Sequence, residues 1–393
     1  MSLSKGIERR VKQHVYAKEH DFFAIIQPGF EEICSSDIFE AGGIIISSVE
    51  GGIEFRSDIE TMWKTHLTSR GITRILMRLM KFKVIYFEKL FAKLEEIPWE
   101  LHLDKDRSID FSVTAVHSRL YHSGRIESEC RSAIISALSR IHKDKGSIIV
   151  GGDDAQLIHI RLEDDICTVS LDCTGEPLYR RGFRTLVEKA PLRETLAAMI
   201  LRYARIEQYE ALCDPMCGSG IIPIEGALMA QGVPPGIRRT FAFEKWPGHS
   251  SKGFEYTKKV IREKMSTFPL SIYASDINDK AVETSRLNCS DVLFQDIKIQ
   301  KRDFFDLKLS DFPEKKILFA MNPPYGERLA AGDNADTFYH KIGEKLKDDF
   351  SECGYAVIIP GTDFEKSFGL RYDRKIIFMN GGIRVALLVR DGK

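Results

Sequence analysis

The hydrophobic and polar positions change pattern twice along the chain. Residues 1–20 mix Lys, Arg, Glu and His without a clear period, which predicts a basic, mobile lead-in. The apolar run at residues 22–27 reads as a strand, residues 29–41 as a helix stopped by Gly42 and Gly43, and residues 51–55 as a second strand. These make a small α+β unit over residues 21–66. Residues 109–116 and 156–171 are rich in β-formers, helical periodicity fills residues 127–141, and Glu163-Asp164-Asp165 breaks the second β segment as a hairpin turn. A second α+β module is therefore expected to close near Asp172. From residue 176 short apolar strands alternate with amphipathic helices, the pattern of a doubly wound α/β sheet. Its strands are placed at residues 210–214, 271–276, 297–303, 317–322 and 355–360. Residues 375–379 and 383–389, joined by Asn380-Gly381-Gly382, add a hairpin, so seven strands are expected with the last antiparallel. This third region is expected to stay folded and bind its cofactor when residues 1–172 are removed.

Composition excludes some functions. At 393 residues and 43% hydrophobic content the chain has material for two or three cores. Its 57 Lys and Arg balance 57 Asp and Glu, so any nucleic-acid contact must come from a local patch. Apolar runs such as residues 43–46 and 356–360 are far shorter than the roughly 18 residues of a membrane span. The N-terminal stretch KGIERRVKQHVYAKEH is too polar for a secretory signal, which predicts a cytoplasmic protein. Eight cysteines include no C-x-x-C pair, and Cys213 with Cys217 or Cys167 with Cys173 match no zinc spacing, so buried reduced thiols and no metal are expected.

A local patch does exist. Between Thr61 and Lys93, eight basic residues (Lys64, Arg70, Arg74, Arg78, Lys81, Lys83, Lys89 and Lys93) face one acid, Glu88. Trp63, Phe82, Tyr86 and Phe87 are interleaved as stacking surface, so a nucleic-acid face competes with an ordinary solvated face. A second stretch, residues 176–205, carries seven Lys or Arg against three Glu and includes Arg180, Arg181 and Arg184.

The candidate chemistry lies at strand ends of the third region. In ALCDPMCGSGIIPIEGALMA an acid and a Gly-Ser-Gly turn connect a strand to a helix, where open α/β sheets bind cofactors. Pro223 occupies the third glycine position of a dinucleotide fingerprint and no Gly-Lys-Ser/Thr follows, which demotes nicotinamide, flavin and P-loop readings. Asp276, ending ASD, suits the two hydroxyls of a ribose, or caps the next helix. Asp303 could accept from an adenine amino group with Phe304 packed on the ring. After the fourth strand, Asn322-Pro323-Pro324-Tyr325 forms a stiff extended loop whose carbonyls can meet at one exocyclic amine, with Tyr325 stacking on a base turned out of its helix.

DPMCGSG, ASDIN, RDFFDL and NPPYGERL resemble the class I S-adenosylmethionine-dependent methyltransferases that modify exocyclic amines of RNA bases. RRGFR, APLRETLAAMIL and PPGIRRTFAFEKWP are similar to bacterial 23S rRNA guanine-N2 methyltransferases carrying an N-terminal THUMP domain. The resemblance implies a Rossmann-like methyltransferase domain over residues 176–393, a ferredoxin-like unit over 21–66 and a THUMP RNA-binding domain over 67–172. It assigns the methionine end of S-adenosylmethionine to Asp214, Cys217, Gly218 and Gly220, and ribose and adenine to Asp276, Asp303 and Phe304. Catalysis falls to Asn322, Pro323, Pro324 and Tyr325. Two positions depart from the family pattern: Ile221 stands where a small hydroxyl residue is expected, and Pro223 lies in the helix's first turn, where its missing N–H is tolerated. Ser118-Arg119-Leu120-Tyr121-His122 is similar to a recurring THUMP segment. RNA contacts are expected from Lys64, Arg70, Arg74, Arg78, Arg119, Arg180, Arg181 and Arg184. The alternatives are adenine N6, which the same loop would hold, or guanine N2 in a tRNA, and an inactive methyltransferase domain on an RNA-binding protein is the rival from another class.

Overall fold

A computed structural model describes residues 4–104, 107–142, 151–152, 154–182, 192–290, 297–325, 335–361 and 364–393. Two seven-stranded sheets organise them. The first contains β1 (His20–Ile26), β2 (Ile44–Val49), β3 (Gly52–Ser57), β4 (Ile72–Lys83), β5 (Ile109–Val116), β6 (Gln156–Glu163) and β7 (Ile166–Asp172). Their order is β2-β3-β1-β4-β7-β6-β5, antiparallel except for β5 on β6. The two α+β modules read from the sequence are thus one continuous sheet, welded by the 12-residue β4, which pairs with β1 on one side and β7 on the other. That strand was hidden inside the basic run, where alternating cations obscure the β pattern. The β6–β7 turn has positive φ at Asp164 (50°) and Asp165 (63°), a conformation that short Asp side chains tolerate in a two-residue hairpin.

The second sheet contains β8 (Ala211–Asp214), β9 (Ser271–Asp276), β10 (Ile297–Lys301), β11 (Ile317–Met321), β12 (Gly354–Pro360), β13 (Arg374–Asn380) and β14 (Ile383–Arg390). They lie in the order β10-β9-β8-β11-β12-β14-β13. β8 to β12 run parallel, and β14 runs antiparallel between β12 and β13, as the sequence pattern predicts. Helices on both faces explain why β8, β11 and β12 are apolar almost throughout and nearly wholly buried.

Residues 1–20 correct the first expectation. Ser4 caps a helix over Lys5–Val11 that continues as a π-turn over Lys12–Tyr16. Val11 and Val15, one turn apart, are both buried, and Arg10 pairs with the buried Glu100 at 2.7 Å. The lead-in is therefore packed structure whose basic residues mask a short apolar stripe.

The C-terminal region shares packing with the residues before it. One of two hydrophobic cores runs from Val11 through β1, β4 and the 194–203 helix to Val389. The helix Ile59–Thr68 docks on the segment after the glycine helix: Trp63 stacks on Phe243 at 6.1 Å and meets Phe254 edge-on at 5.5 Å. His66 meets the stacked rings of Phe241 and Phe243 edge-on, each at 5.2 Å. A Cβ on Gly236 would fall 2.4 Å from the His66 carbonyl, so only glycine permits this approach. Removing residues 1–172 would expose this core face.

Candidate active site

In the C-terminal sheet the chain runs from β8 outward to β9 and β10, then returns to β11 on β8's other side. The carboxyl ends of β8 and β11 thus flank the topological switch point, where open α/β sheets hold ligands. Asp214 ends β8 and Asn322 follows β11, so the glycine loop and the Asn-Pro-Pro-Tyr loop leave neighbouring strands at one edge.

The glycine loop is built from main-chain bonds. Gly218 N–H donates to Asp276 Oδ2 at 3.0 Å, Cys217 N–H to the Ser275 carbonyl at 2.9 Å, and Asn288 Nδ2 to the Ser219 carbonyl at 2.9 Å. Gly218 (φ +49°) borders open space where an added Cβ would meet nothing. Gly220 (φ +82°) has the opposite constraint, because a Cβ there would lie 2.5 Å from Ser285 Oγ. It initiates the wholly buried helix Ile221–Ala230, with Pro223 in the first turn as expected. Asp214 is buried and accepts from Met216 N–H at 3.2 Å. Burial holds its carboxyl well above the usual carboxylate range, against that N–H bond, and the neighbouring Asp276 adds to the rise. Burial likewise pushes the Cys217 thiol up, with Asp214 and Asp276 adding to it, so this cysteine is packing and not a nucleophile.

Asp276 also accepts from Asn278 N–H at 2.9 Å, and Asp303 caps a short 3₁₀ turn through Phe305 N–H at 3.0 Å. Phe304 corrects a prediction. It is 1% exposed, with its ring packed among Phe305, Phe319 and Phe350, so no ring face remains for adenine. Its place in the second core, on the face of the sheet opposite the first, explains its apolarity.

In the proline loop, Asn322 Oδ1 is buried without a hydrogen-bond partner among the described residues. The Pro324 carbonyl accepts from Tyr339 Oη at 3.4 Å. Tyr325 is 6% exposed and receives the Asn380 Nδ2 hydrogen bond at 2.5 Å.

A cleft of about 1680 Å³ opens beside Tyr325 and runs between the two sheets. Its lining holds eight Arg or Lys and five Asp or Glu. Arg74, Arg180 and Arg181, all expected to contact RNA, border it. Only Arg180 of these is well exposed; it pairs with Glu176. Arg74 is bound to Asp172 and to the Gly175 carbonyl, and burial pushes the Asp172 carboxyl up to about 6 against the pull of Arg74. Arg181 is 2% exposed and its Nε lies 2.6 Å from Glu225 Oε1.

The basic run is divided: Lys81, Lys83 and Lys89 are exposed, while its three arginines turn against protein partners. Arg70 is 6% exposed, donates to the Leu228 and Val233 carbonyls and lies 3.7 Å from Glu225, and burial lowers its guanidinium to about 10. Arg78 donates to Ser170 Oγ, approaches Glu54 and covers the Phe23 ring at 4.4 Å. Lys64 pairs with Glu60 one turn away. Arg70 and Arg181 are therefore internal ion-pair residues, and Trp63 is core. Arg119 is exposed beside Asp165, and Arg184 lies outside the described residues. The cleft instead adds Arg107, Arg238, Lys245 and Arg193, whose guanidinium covers the Tyr179 ring at 5.0 Å. Arg193 and Arg238 stand within the quoted family segments, which was the available signal.

All eight cysteines are free and buried. Among the described residues no group of His, Cys, Asp and Glu is disposed to hold a metal, and no helix is long and apolar enough to cross a membrane.

Residues 181–388 match the family described as RMKL-like, methyltransferase domain, which covers more than half of the chain. The chain belongs to this methyltransferase family. Residues 21–76 also match the RlmL ferredoxin-like domain, which ends inside β4. The family's ribosomal RNA large subunit methyltransferase K/L of Psychromonas ingrahamii is 33% identical over 374 residues, 93% of this chain and 49% of that protein. The chain thus spans about half the length of the K/L relatives it matches. SMU.472, assigned as a methyltransferase and solved in complex with SAH, is 28% identical with a TM-score of 0.85, covering 96% of this chain and 99% of that one. A possible methylase from Clostridium difficile 630 is 27% identical with a TM-score of 0.83, over 96% and 99% of the two chains.

Proposed function

We propose that this protein transfers a methyl group from S-adenosylmethionine to the exocyclic N2 amine of a guanosine in 23S rRNA. The observation that carries this reading is the buried Asn322 Oδ1, without a partner among the described residues, at the switch point beside a glycine turn with open space at Gly218. A buried acceptor with no donor is unfavourable by about 1–3 kcal/mol unless a ligand supplies one. An exocyclic amine has two N–H groups to give.

These residues fit the methyl donor. Asp276 and Asp303 would hold ribose and adenine, the Gly218–Gly220 turn would admit the methionine end, and Asp214 would face its cationic groups. When bound, S-adenosylmethionine supplies an electrophilic methyl on a sulfonium. The chain's own work is to position the amine and exclude water. Guanine N2 is a nucleophile only as its lone pair leaves conjugation with the ring. Asn322 Oδ1 and the Pro323 carbonyl accept its N–H bonds in that geometry and so favour the transition state over the ground state. Pro323 and Pro324 hold the acceptors without a reorganisation cost, and Tyr325 packs at the base.

The cleft supports an RNA partner held as an unpaired segment, because a gap lined by Arg193, Arg238, Lys245 and Tyr179 offers phosphate and stacking contacts to a single strand. Residues 67–172 would act as the THUMP-like part of that grip. The K/L relatives' name favours a large-subunit rRNA target. Nucleoside mass spectrometry of 23S rRNA from a strain lacking the gene is expected to show loss of N2-methylguanosine; loss of N6-methyladenosine would move the target to adenine, and no loss would reject an rRNA target.

A further inference from the structure

We propose that Asn380 is a positioning residue for methyl transfer, holding the Tyr325 end of the catalytic loop from the β13–β14 hairpin; this rests on the reading above. Asn380 closes the β13–β14 hairpin opposite Ile383, and the turn itself is Gly381 (φ +59°) and Gly382 (φ +84°). A two-residue turn of this hand needs positive φ at both central positions, and the two glycines supply it. The turn therefore makes no demand on the Asn380 side chain. That side chain donates to Tyr325 Oη at 2.5 Å, across 55 residues of sequence. Asn380, Gly381, Ile383 and Tyr325 line one cleft, and a Cβ on either glycine would meet nothing, so the hairpin tip leaves room for a nucleic-acid backbone.

The anchor is itself held rigidly. Phe378, two residues before Asn380, packs on Phe30 of the N-terminal sheet's first connection at 5.7 Å, and both rings are buried. Gly29 (φ +95°) sits so close to β13 that a Cβ would lie 2.9 Å from Ile376 Cδ1. The Lys375 carbonyl accepts from Tyr203 Oη at 3.2 Å. β13 is thus clasped by Gly29 and Phe30 of the ferredoxin-like unit and by Tyr203, and its last residue holds the loop that carries Asn322. A shift of the order of 1 Å in such a loop is enough to slow chemistry by one to two orders of magnitude.

The test is single-turnover transfer of labelled methyl into unmodified 23S rRNA transcribed in vitro, at saturating enzyme and S-adenosylmethionine, with RNA affinity measured in parallel. Asn380→Leu and Tyr325→Phe are each expected to slow transfer about tenfold, with RNA affinity changed less than twofold. The double variant is expected to be no slower than the slower single one, because both remove the same contact. Asn380→Asp, whose carboxylate accepts from the tyrosine hydroxyl, is expected to recover most of the rate. Wild-type rate in Asn380→Leu, additive slowing in the double variant, or equal slowing in Asn380→Asp and Asn380→Leu would overturn the proposal while wild-type transfer leaves the enzyme reading intact. If Asn380→Leu does not fold, Tyr325→Phe with Asn380→Asp decides the same question. No transfer by the wild-type protein would reject the substrate reading and this proposal with it.

Discussion

In the C-terminal sheet, Asp214 and Asp276 end β8 and β9 and Asn322 follows β11, each in the loop its own strand feeds. In the N-terminal sheet, Arg74 and Arg78 lie within β4 and turn against Asp172, Ser170 and Glu54, while Arg70 just before it reaches Glu225 in the other half of the molecule. A strand-tip motif carries its geometry with it, because sequence neighbours become the walls of the site. A run of cations carries no such geometry. The partners of its inward-turned Arg74 and Arg70 lie about 100 to 160 residues away along the chain, as with Arg74 and Asp172 or Arg70 and Leu228.

The sharpest way to break this contrast is Arg70→Ala. Removing the guanidinium leaves the Leu228 and Val233 carbonyls without their donor and the buried Glu225 with Arg181 as its remaining cation, so a loss of about 3–5 kcal/mol in urea unfolding is expected. Unchanged stability with weakened RNA binding would return Arg70 to the surface. On the other sheet, Asn322→Ala is expected to slow single-turnover methyl transfer about a hundredfold with near-normal cofactor and RNA affinity, by analogy with losing one preorganised polar group. Transfer at the wild-type rate would remove the amine-acceptor mechanism. Asp276→Ala removes a charged acceptor and is expected to weaken S-adenosylmethionine binding by roughly 1.5–3 kcal/mol in calorimetric titration. Unchanged affinity would leave Asp276 as a support for the Gly218 and Asn278 N–H groups alone.

Acid sensitivity should come from the junction between the sheets. His66 donates from Nδ1 to the Met62 carbonyl and accepts at Nε2 from Thr174 Oγ1, and burial lowers its ring to about 3. The unfolded chain takes up that proton near pH 6.5 and the native protein does not. Stability therefore falls as pH drops below about 6.5, by up to about 1.4 kcal/mol per pH unit for each such histidine. Urea midpoints from pH 7 to 5 should decline less steeply in His66→Gln. The smallest effect separates cleft from run: Arg238→Ala should lower the salt dependence of RNA binding by about one phosphate contact, whereas Lys64→Ala should leave it unchanged.

Most of the second sheet was legible in the residues. β9 falls where the pattern put it, and the other strands shift by one or two residues at their ends. Isolated apolar runs between amphipathic helices have only one way to bury themselves. β4 was not legible, because Arg74, Arg78, Lys81 and Lys83 interrupt its apolar positions and the acids that meet Arg74 and Arg78 are not their sequence neighbours. The candidate site shows the same division: the places of Asn322 and Asp276 at strand ends were legible from their loops, while Phe304 was misread because its neighbour Phe305 is partly exposed and it is buried. Arg107 could not be found at all, since the cleft it borders forms only when the two halves meet.

That meeting also sets a timetable for biogenesis. Trp63 is made early, yet its partners Phe243 and Phe254 leave the ribosome about 190 residues later, roughly 10–40 s at ordinary elongation rates. For that interval the first sheet displays an apolar helix face with nothing to cover it. Slowing synthesis between the two halves should therefore lower the yield of native protein, and a trigger-type chaperone that shields this face should restore it.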